Sequence, residues 1–223
     1  FLVNVTVNPA TELSSSLTPP AICSKTVFNY APTSNTASTN VFNWSRAVVP
    51  GISNAAATGS GNPMEVLINT TTAPKSVVYE YTLNTVGNCP KVQLVTVIVN
   101  PTPVLSNATM VVPSICQGAT VNFVPSSTTT GFVANWVRDV IPGISNLAAT
   151  GTGNPIEELL NTTIADITVN YKYTVIANGC SSDTIVSVVV KPVPVVAPQT
   201  RTICSGTSFT VSPTGVPVGT QYT

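Results

Sequence analysis

The chain has 223 residues, of which 43% are hydrophobic and 7% charged, with 8 basic and 8 acidic side chains and no histidine. That balance excludes the basic surface a nucleic-acid backbone requires, and so apolar a chain is not a disordered one. No apolar run approaches the roughly 20 residues of a helical membrane span.

Residues 1–9 (FLVNVTVNP) form the first expected strand, and they align with residues 92–101 (VQLVTVIVNP) and 185–192 (IVSVVVKP). The alignment belongs to a self-similarity with a period of about 92 residues. Trp44 recurs as Trp136, Pro50-Gly51 as Pro142-Gly143, Asn62-Pro63 as Asn154-Pro155, and Tyr79-x-Tyr81 as Tyr171-x-Tyr173. From Trp44 onward 20 of 29 positions match their counterparts without a gap, which marks tandem copies of one small domain. The expected organisation is the last strand of a preceding copy (1–10), two complete copies (11–103 and 104–194), and the start of a third (195–223), within a chain that extends both ways.

Within the second copy, residues 120–124 (TVNFV) alternate polar and apolar, as a half-buried strand does. Residues 132–140 (FVANWVRDV) read the same way, with Trp136 on one face. A loop rich in Gly, Asn, Ser and Ala follows over 142–155, and 156–160 (IEELL) reads as a short strand. Residues 167–176 (ITVNYKYTVI) and 185–190 are the clearest strands, with Asn178-Gly179 as a tight turn between them. Pro192 and Pro194 close the copy as Pro101 and Pro103 close the first. Six or seven short strands around one Trp in about 90 residues predict an all-β, Ig-like sandwich. Short Pro-x-Pro junctions predict semi-rigid linkage, and sandwiches of roughly 40 Å each predict a rod.

Trp44, Trp136, Tyr81 and Tyr173 are expected in the cores, with Tyr79 and Tyr171 on the same strand faces. Glu157 and Glu158 are adjacent, so in a strand they point to opposite faces and cannot act as a carboxylate pair. Arg138 beside Asp139 reads as a solvated surface pair. Acidic groups are too sparse for a calcium site, and without histidine there is no recognisable base for a nucleophile. No catalytic, metal or cofactor residue is expected, and the chain is read as non-enzymatic. The loops 50–63 and 142–155 match best of all, although loops ordinarily vary more than strands. Either recent duplication or a demanding backbone path set by Gly143, Gly151 and Gly153 accounts for this, or the loop is a shared adhesive or packing surface.

Cysteines fall at 23, 89, 116, 180 and 204, two per complete copy and one in the third. This regularity predicts disulfides in an oxidising compartment. The simplest pairing is Cys23–Cys89 and Cys116–Cys180, each worth roughly 3–4 kcal/mol by chain entropy, with the partner of Cys204 outside the sequence. The leading and trailing cysteines fall at opposite ends of an Ig-like topology, so a pairing between copies, Cys23–Cys180, stands as the alternative.

The patterns Ile203-Cys-Ser-Gly206, Gly151-x-Gly-Asn-Pro with Leu-x-Asn-Thr-Thr ending at Thr163, Tyr171-x-Tyr-Thr-Val and Asn178-Gly-Cys resemble the PKD-like repeats of giant Bacteroidetes surface proteins. The best-known members are gliding-motility adhesins exported by the type IX secretion system. Lys25 departs from the pattern's glycine, and Gly87-Asn88 reverses its Asn-Gly. The resemblance implies a secreted filament on the outer face of the outer membrane, whose repeats space or present adhesive parts. Its implied partners are neighbouring repeats and a surface polysaccharide, host or substratum. Asp183-Thr184-Ile185 fits an O-glycan acceptor of such proteins, at Thr184. The alternative from another class is a glycan-binding or spacer module of a secreted polysaccharide-degrading enzyme.

Overall fold

The computed structural model describes residues 1–5, 10–36, 40–85, 91–108 and 112–221. Strand formation follows the alternation of side chains. Val77, Tyr79, Tyr81 and Leu83 are buried completely along one strand, as are Val169, Tyr171, Tyr173 and Val175 within 1% along another. The residues between them face outward, the two-residue period of a pleated strand covered on one side.

The chain divides into two compact units. Unit 1 comprises Phe1–Pro103 with Thr129–Gly131 and Ala177–Ser181, and unit 2 the remainder. Unit 1 carries β1 (Ile22–Cys23), β2 (Val27–Phe28), β3 (Asn40–Arg46), β4 (Ala57–Ser60), β5 (Glu65–Val66), β6 (Lys75–Thr85) and β7 (Lys91–Asn100). Five of these form a sheet in the order β1-β7-β6-β3-β4, and β2 pairs with β5 in a second sheet. β1 runs parallel to β7, and the other neighbours are antiparallel. The two sheets enclose the core, where Phe28 of β2 meets Tyr79 of β6 with ring centroids 5.0 Å apart.

Unit 2 carries β8 (Ile115–Cys116), β9 (Val133–Arg138), β10 (Ala149–Thr152), β11 (Ile167–Ala177) and β12 (Cys180–Lys191), in the order β10-β9-β11-β12-β8, apart from the hairpin residues Ala177–Ser181 that group with unit 1. Its second layer is built from single bridges, Thr120 to Glu158 and Ile144 to Asn161, with Val121, Phe123 and Leu159 buried against the sheet. Asn178 and Gly179 sit at φ of 51° and 75°, as the two-residue turn joining β11 to β12 requires. All named elements of both units are strands, so each unit is an all-β sandwich.

Three expected strands are altered. Residues 120–124 make one bridge, because the Phe123 amide donates to the Asn154 side chain where a ladder carbonyl would otherwise lie. Residues 156–160 also make one bridge, and Ile156 at φ 40° cannot be extended. In the third, residues 6–9 lie outside the described residues, while 1–5 are exposed and make no ladder. Conversely, the expected loop 142–155 contains β10. Its Ala-Thr-Gly-Thr sequence has weak strand propensity and is held by pairing with β9.

Candidate functional site

Each unit buries one arginine, and that arginine organises the most conspicuous polar cluster of the fold. Arg46 ends β3 on its inward face and is 2% exposed. Its Nε and Nη2 donate to the two carboxylate oxygens of Glu65 at 2.9 and 2.8 Å. Nη2 also donates to the Ala55 carbonyl at 2.6 Å and Nη1 to that of Ala47 at 3.2 Å. The Tyr79 hydroxyl donates to Glu65 Oε2 at 2.6 Å. The planar guanidinium suits such bidentate binding, which an ammonium could not reproduce.

Unit 2 repeats the cluster. Arg138 donates to Glu157 at 3.0 and 2.9 Å, to Leu147 O at 2.6 Å and to Asp139 O at 3.3 Å. Tyr171 donates to Glu157 at 2.9 Å. The expected solvated pair Arg138–Asp139 is therefore corrected: Arg138 is 1% exposed, pairs with Glu157, and meets Asp139 only through its backbone carbonyl. Glu158, next door, is exposed.

The electrostatics follow from burial and mutual pairing. Burial pushes the carboxyls of Glu65 and Glu157 up, but hydrogen bonds from arginine and tyrosine outweigh it and hold both below the usual range. Hydrogen bonding to glutamate raises both guanidinium groups. Burial, reinforced by the neighbouring carboxylate, raises the phenols of Tyr79 and Tyr171. The cluster thus holds a carboxylate, a guanidinium and a neutral phenol, each directed at another member.

The backbone is shaped to make this contact. Met64 and Ile156, at φ 49° and 40°, occupy left-handed conformations immediately before the paired glutamates. That conformation is costly for side chains of their size, on the order of 1–3 kcal/mol. β4 and β10 approach closely because they carry glycine: a Cβ on Gly59 or Gly151 would lie 2.5 or 2.6 Å from the indole of Trp44 or Trp136. Those indoles, 7% and 5% exposed, meet Tyr79 and Tyr171 edge-on at 5.5 and 5.4 Å. Tyr81 and Tyr173 are fully buried and donate to Gly61 O and Gly153 O at 3.0 Å.

Asparagines satisfy the irregular backbone around the cluster. Asn161 Nδ2 donates to Ala165 O and Val190 O, and its Oδ1 accepts from the Thr163 amide and hydroxyl, all within 2.8–2.9 Å. Asn69 repeats this pattern with Ala73, Val99 and Thr71. Asn54 and Asn146 each receive an amide and donate to a carbonyl across the loop, as a strand residue would. Sequence reasoning missed these roles. A signal was present: Arg46/Arg138 and Glu65/Glu157 recur in kind at the repeat spacing in a chain with few charges.

Cys23 is bonded to Cys180, with Cα atoms 5.6 Å apart. Cys23–Cys89 and Cys116–Cys180 are therefore not formed, although Cys89 itself lies outside the described residues. The hairpin turn that carries Cys180 belongs to unit 1. There Asn100 Nδ2 donates to the Asn178 carbonyl at 2.8 Å, and Asn100 is the β7 partner of Cys23. Cys116 and Cys204 are exposed thiols. Thr184 lies half-buried on β12, and Asp183 beside it is engaged by Lys172 and Thr174.

Among solved structures the chain is similar to human protocadherin-24 EC1-2, with 14% identity, 84% of this chain and 99% of that chain covered, and a TM-score of 0.41. It is similar also to insect hemolin (14% identity, 85% and 49% covered, TM-score 0.39). A third is DIP-gamma IG1+IG2 (14%, 82% and 98%, 0.36). Likeness at this level carries no argument about function. No curated protein matches the chain. Residues 20–103, the stretch that holds Arg46, Glu65, Asn69 and Tyr79, match the family model of the PKD-like domain.

Proposed function

We propose that this chain is part of the stalk of a large secreted bacterial surface adhesin, in which successive copies add length and present adhesive parts at the outer face of the outer membrane. Gliding motility is the setting its sequence pattern suggests. The observation that carries the reading is the use of the repeated polar residues. Arg46, Glu65, Tyr79 and Asn69, with Arg138, Glu157, Tyr171 and Asn161, are all directed into the fold. A module repeated for a ligand would repeat side chains that meet that ligand. A module repeated for length and resistance repeats the side chains that hold it together. Burial of Trp44 and Trp136 supports the same reading, because a glycan platform requires exposed aromatic faces.

The mechanism is mechanical, with copies arranged as a rod. The Cys23–Cys180 bond spans 157 residues, a length that cannot be drawn out while the bond is intact. At about 3.5 Å per extended residue this removes roughly 550 Å from the stretchable contour. Pulling single molecules of the full chain from both ends tests the reading. Oxidised molecules should lengthen by no more than about 230 Å, and reduced ones by roughly 550 Å more, in separate sandwich-unfolding steps. Equal extension in both states, or reduced molecules that yield without discrete force peaks, refutes a stalk that carries tension.

A further inference from the structure

The setting that gives Cys23 its partner is built a second time around Cys116, whose thiol is exposed. β1 places Ile22 beside Val99 and Cys23 beside Asn100, in parallel. β8 places Ile115 beside Val190 and Cys116 beside Lys191, also in parallel. The turns that follow coincide bond by bond. The Ser24 amide donates to Asn100 O and that of Gln117 to Lys191 O, both at 2.8 Å; the next amides reach Leu67 O and Leu159 O at 2.8 and 2.9 Å. The Thr26 and Ala119 amides return to the carbonyls of the two cysteines at 3.1 and 3.0 Å. Lys25 and Gly118 share the positive φ that this turn requires, 68° and 78°.

One difference bears on a partner. Asn100, opposite Cys23, donates to the carbonyl of Asn178 in the Asn-Gly turn that carries Cys180. Opposite Cys116 the register supplies Lys191, an exposed ammonium that can donate to a turn carbonyl in the same way.

We propose that Cys116 is a bonding site for the Asn-Gly-Cys hairpin of a further copy of this repeat, with Lys191 holding the carbonyl of its turn. Disulfides then follow a stagger in which the leading cysteine of each copy takes the hairpin cysteine of the copy after it. The reaction is thiol–disulfide exchange with a small disulfide oxidant such as glutathione disulfide. The Cys116 thiolate attacks one oxidant sulfur, forming a mixed disulfide and releasing one glutathione thiolate. The hairpin thiolate then attacks Cys116 Sγ, forming the protein disulfide and releasing the second. The two protons lost by the cysteines end on the two glutathiones, which carry the two electrons. This inference rests on the register of β8 and does not require the stalk reading.

The test inserts a second copy of residues 104–194 after Pro194 in the full chain, oxidises the protein in a glutathione buffer, and maps disulfides without reduction. The expected map contains Cys23–Cys180 and a second bond from Cys116 to the inserted counterpart of Cys180. Cys116→Ser should free that inserted cysteine, raising its alkylation at least tenfold, while Cys23–Cys180 persists. Lys191→Ala should lower the fraction of the second bond several-fold at limiting oxidant. An inserted hairpin cysteine bonded within its own copy, or left alkylatable beside a free Cys116, overturns the proposal. So does scrambling that also loses Cys23–Cys180, because register would then not direct pairing.

Discussion

Replacing Arg138 with methionine tests whether the buried cluster is a principal stabiliser of unit 2. The substitution keeps much of the side-chain volume but removes both bonds to Glu157 and the bonds to the Leu147 and Asp139 carbonyls. Glu157, with only 16% of its side chain exposed, keeps a single donor, Tyr171. Breaking a buried pair by removing one partner costs about 3–5 kcal/mol, since a charge is left in low dielectric. A domain of this size has about 5–15 kcal/mol in all. With a urea m-value of about 1.5 kcal/mol/M, the midpoint should fall by roughly 2–3 M. Urea unfolding followed by hydrogen exchange of peptides from β9 and β11 reads unit 2 apart from unit 1. Asp139→Ala, which leaves the carbonyl in place, should move the midpoint by less than about 0.5 M. A shift that small for Arg138→Met would place the arginine among ordinary surface charges and refute the reasoning.

Other perturbations separate the parts of the same machinery. Gly151→Ala brings a Cβ within 2.6 Å of the Trp136 ring and should cost about 1–3 kcal/mol, with a changed near-ultraviolet dichroism of the indole. Asn161→Ala strips donors from two carbonyls and an acceptor from the Thr163 amide; a loss of about 2–4 kcal/mol should lower the calorimetric Tm of unit 2 by roughly 10–20 °C. Stability should also depend on pH at both ends. Glu65 and Glu157 have carboxyls held below their unfolded value of 4.5, so their contribution is full above that pH and lost as pH falls through the depressed folded values. Tyr79 and Tyr171 are raised above 10.0, so theirs is full below pH 10 and lost as pH rises beyond it. A denaturation midpoint unchanged from pH 6 to pH 3 would contradict the acid limb.

The alternation of Val, Tyr and Leu made β6, β7, β11 and β12 legible, because a period of two leaves a mark in local sequence. β10 was hidden for the opposite reason. Its position is dictated by the indole of Trp136, and the residue that fits there, glycine, carries no strand signal. The Arg138–Glu157 pair was hidden by distance, 19 residues apart in the chain, while Asp139 offered a neighbour whose side chain takes no part. Disulfide pairing was legible only as two alternatives. Sequence spacing favours the shorter loop, whereas the observed bond depends on the hairpin turn lying within unit 1.

The near-identity of the two loops has a structural part, which shows in the positions that agree. Ile52 and Ile144 agree and are each 5% exposed. Asn54/Asn146, Gly59/Gly151 and Asn62/Asn154 agree, and each spans the loop, abuts an indole or receives a core amide. The positions that differ point outward. Ala55 is replaced by Leu147, which is 82% exposed, and Ser60 by Thr152, both exposed. A shared adhesive or packing surface requires agreement outside, whereas a demanding backbone path requires it at the buried and bonded positions. The remaining agreement includes Pro50/Pro142, Ser53/Ser145, Ala56/Ala148 and Thr58/Thr150, which are exposed in both copies, so burial and backbone bonding account for one part of the agreement and the outward face of the loop is shared as well.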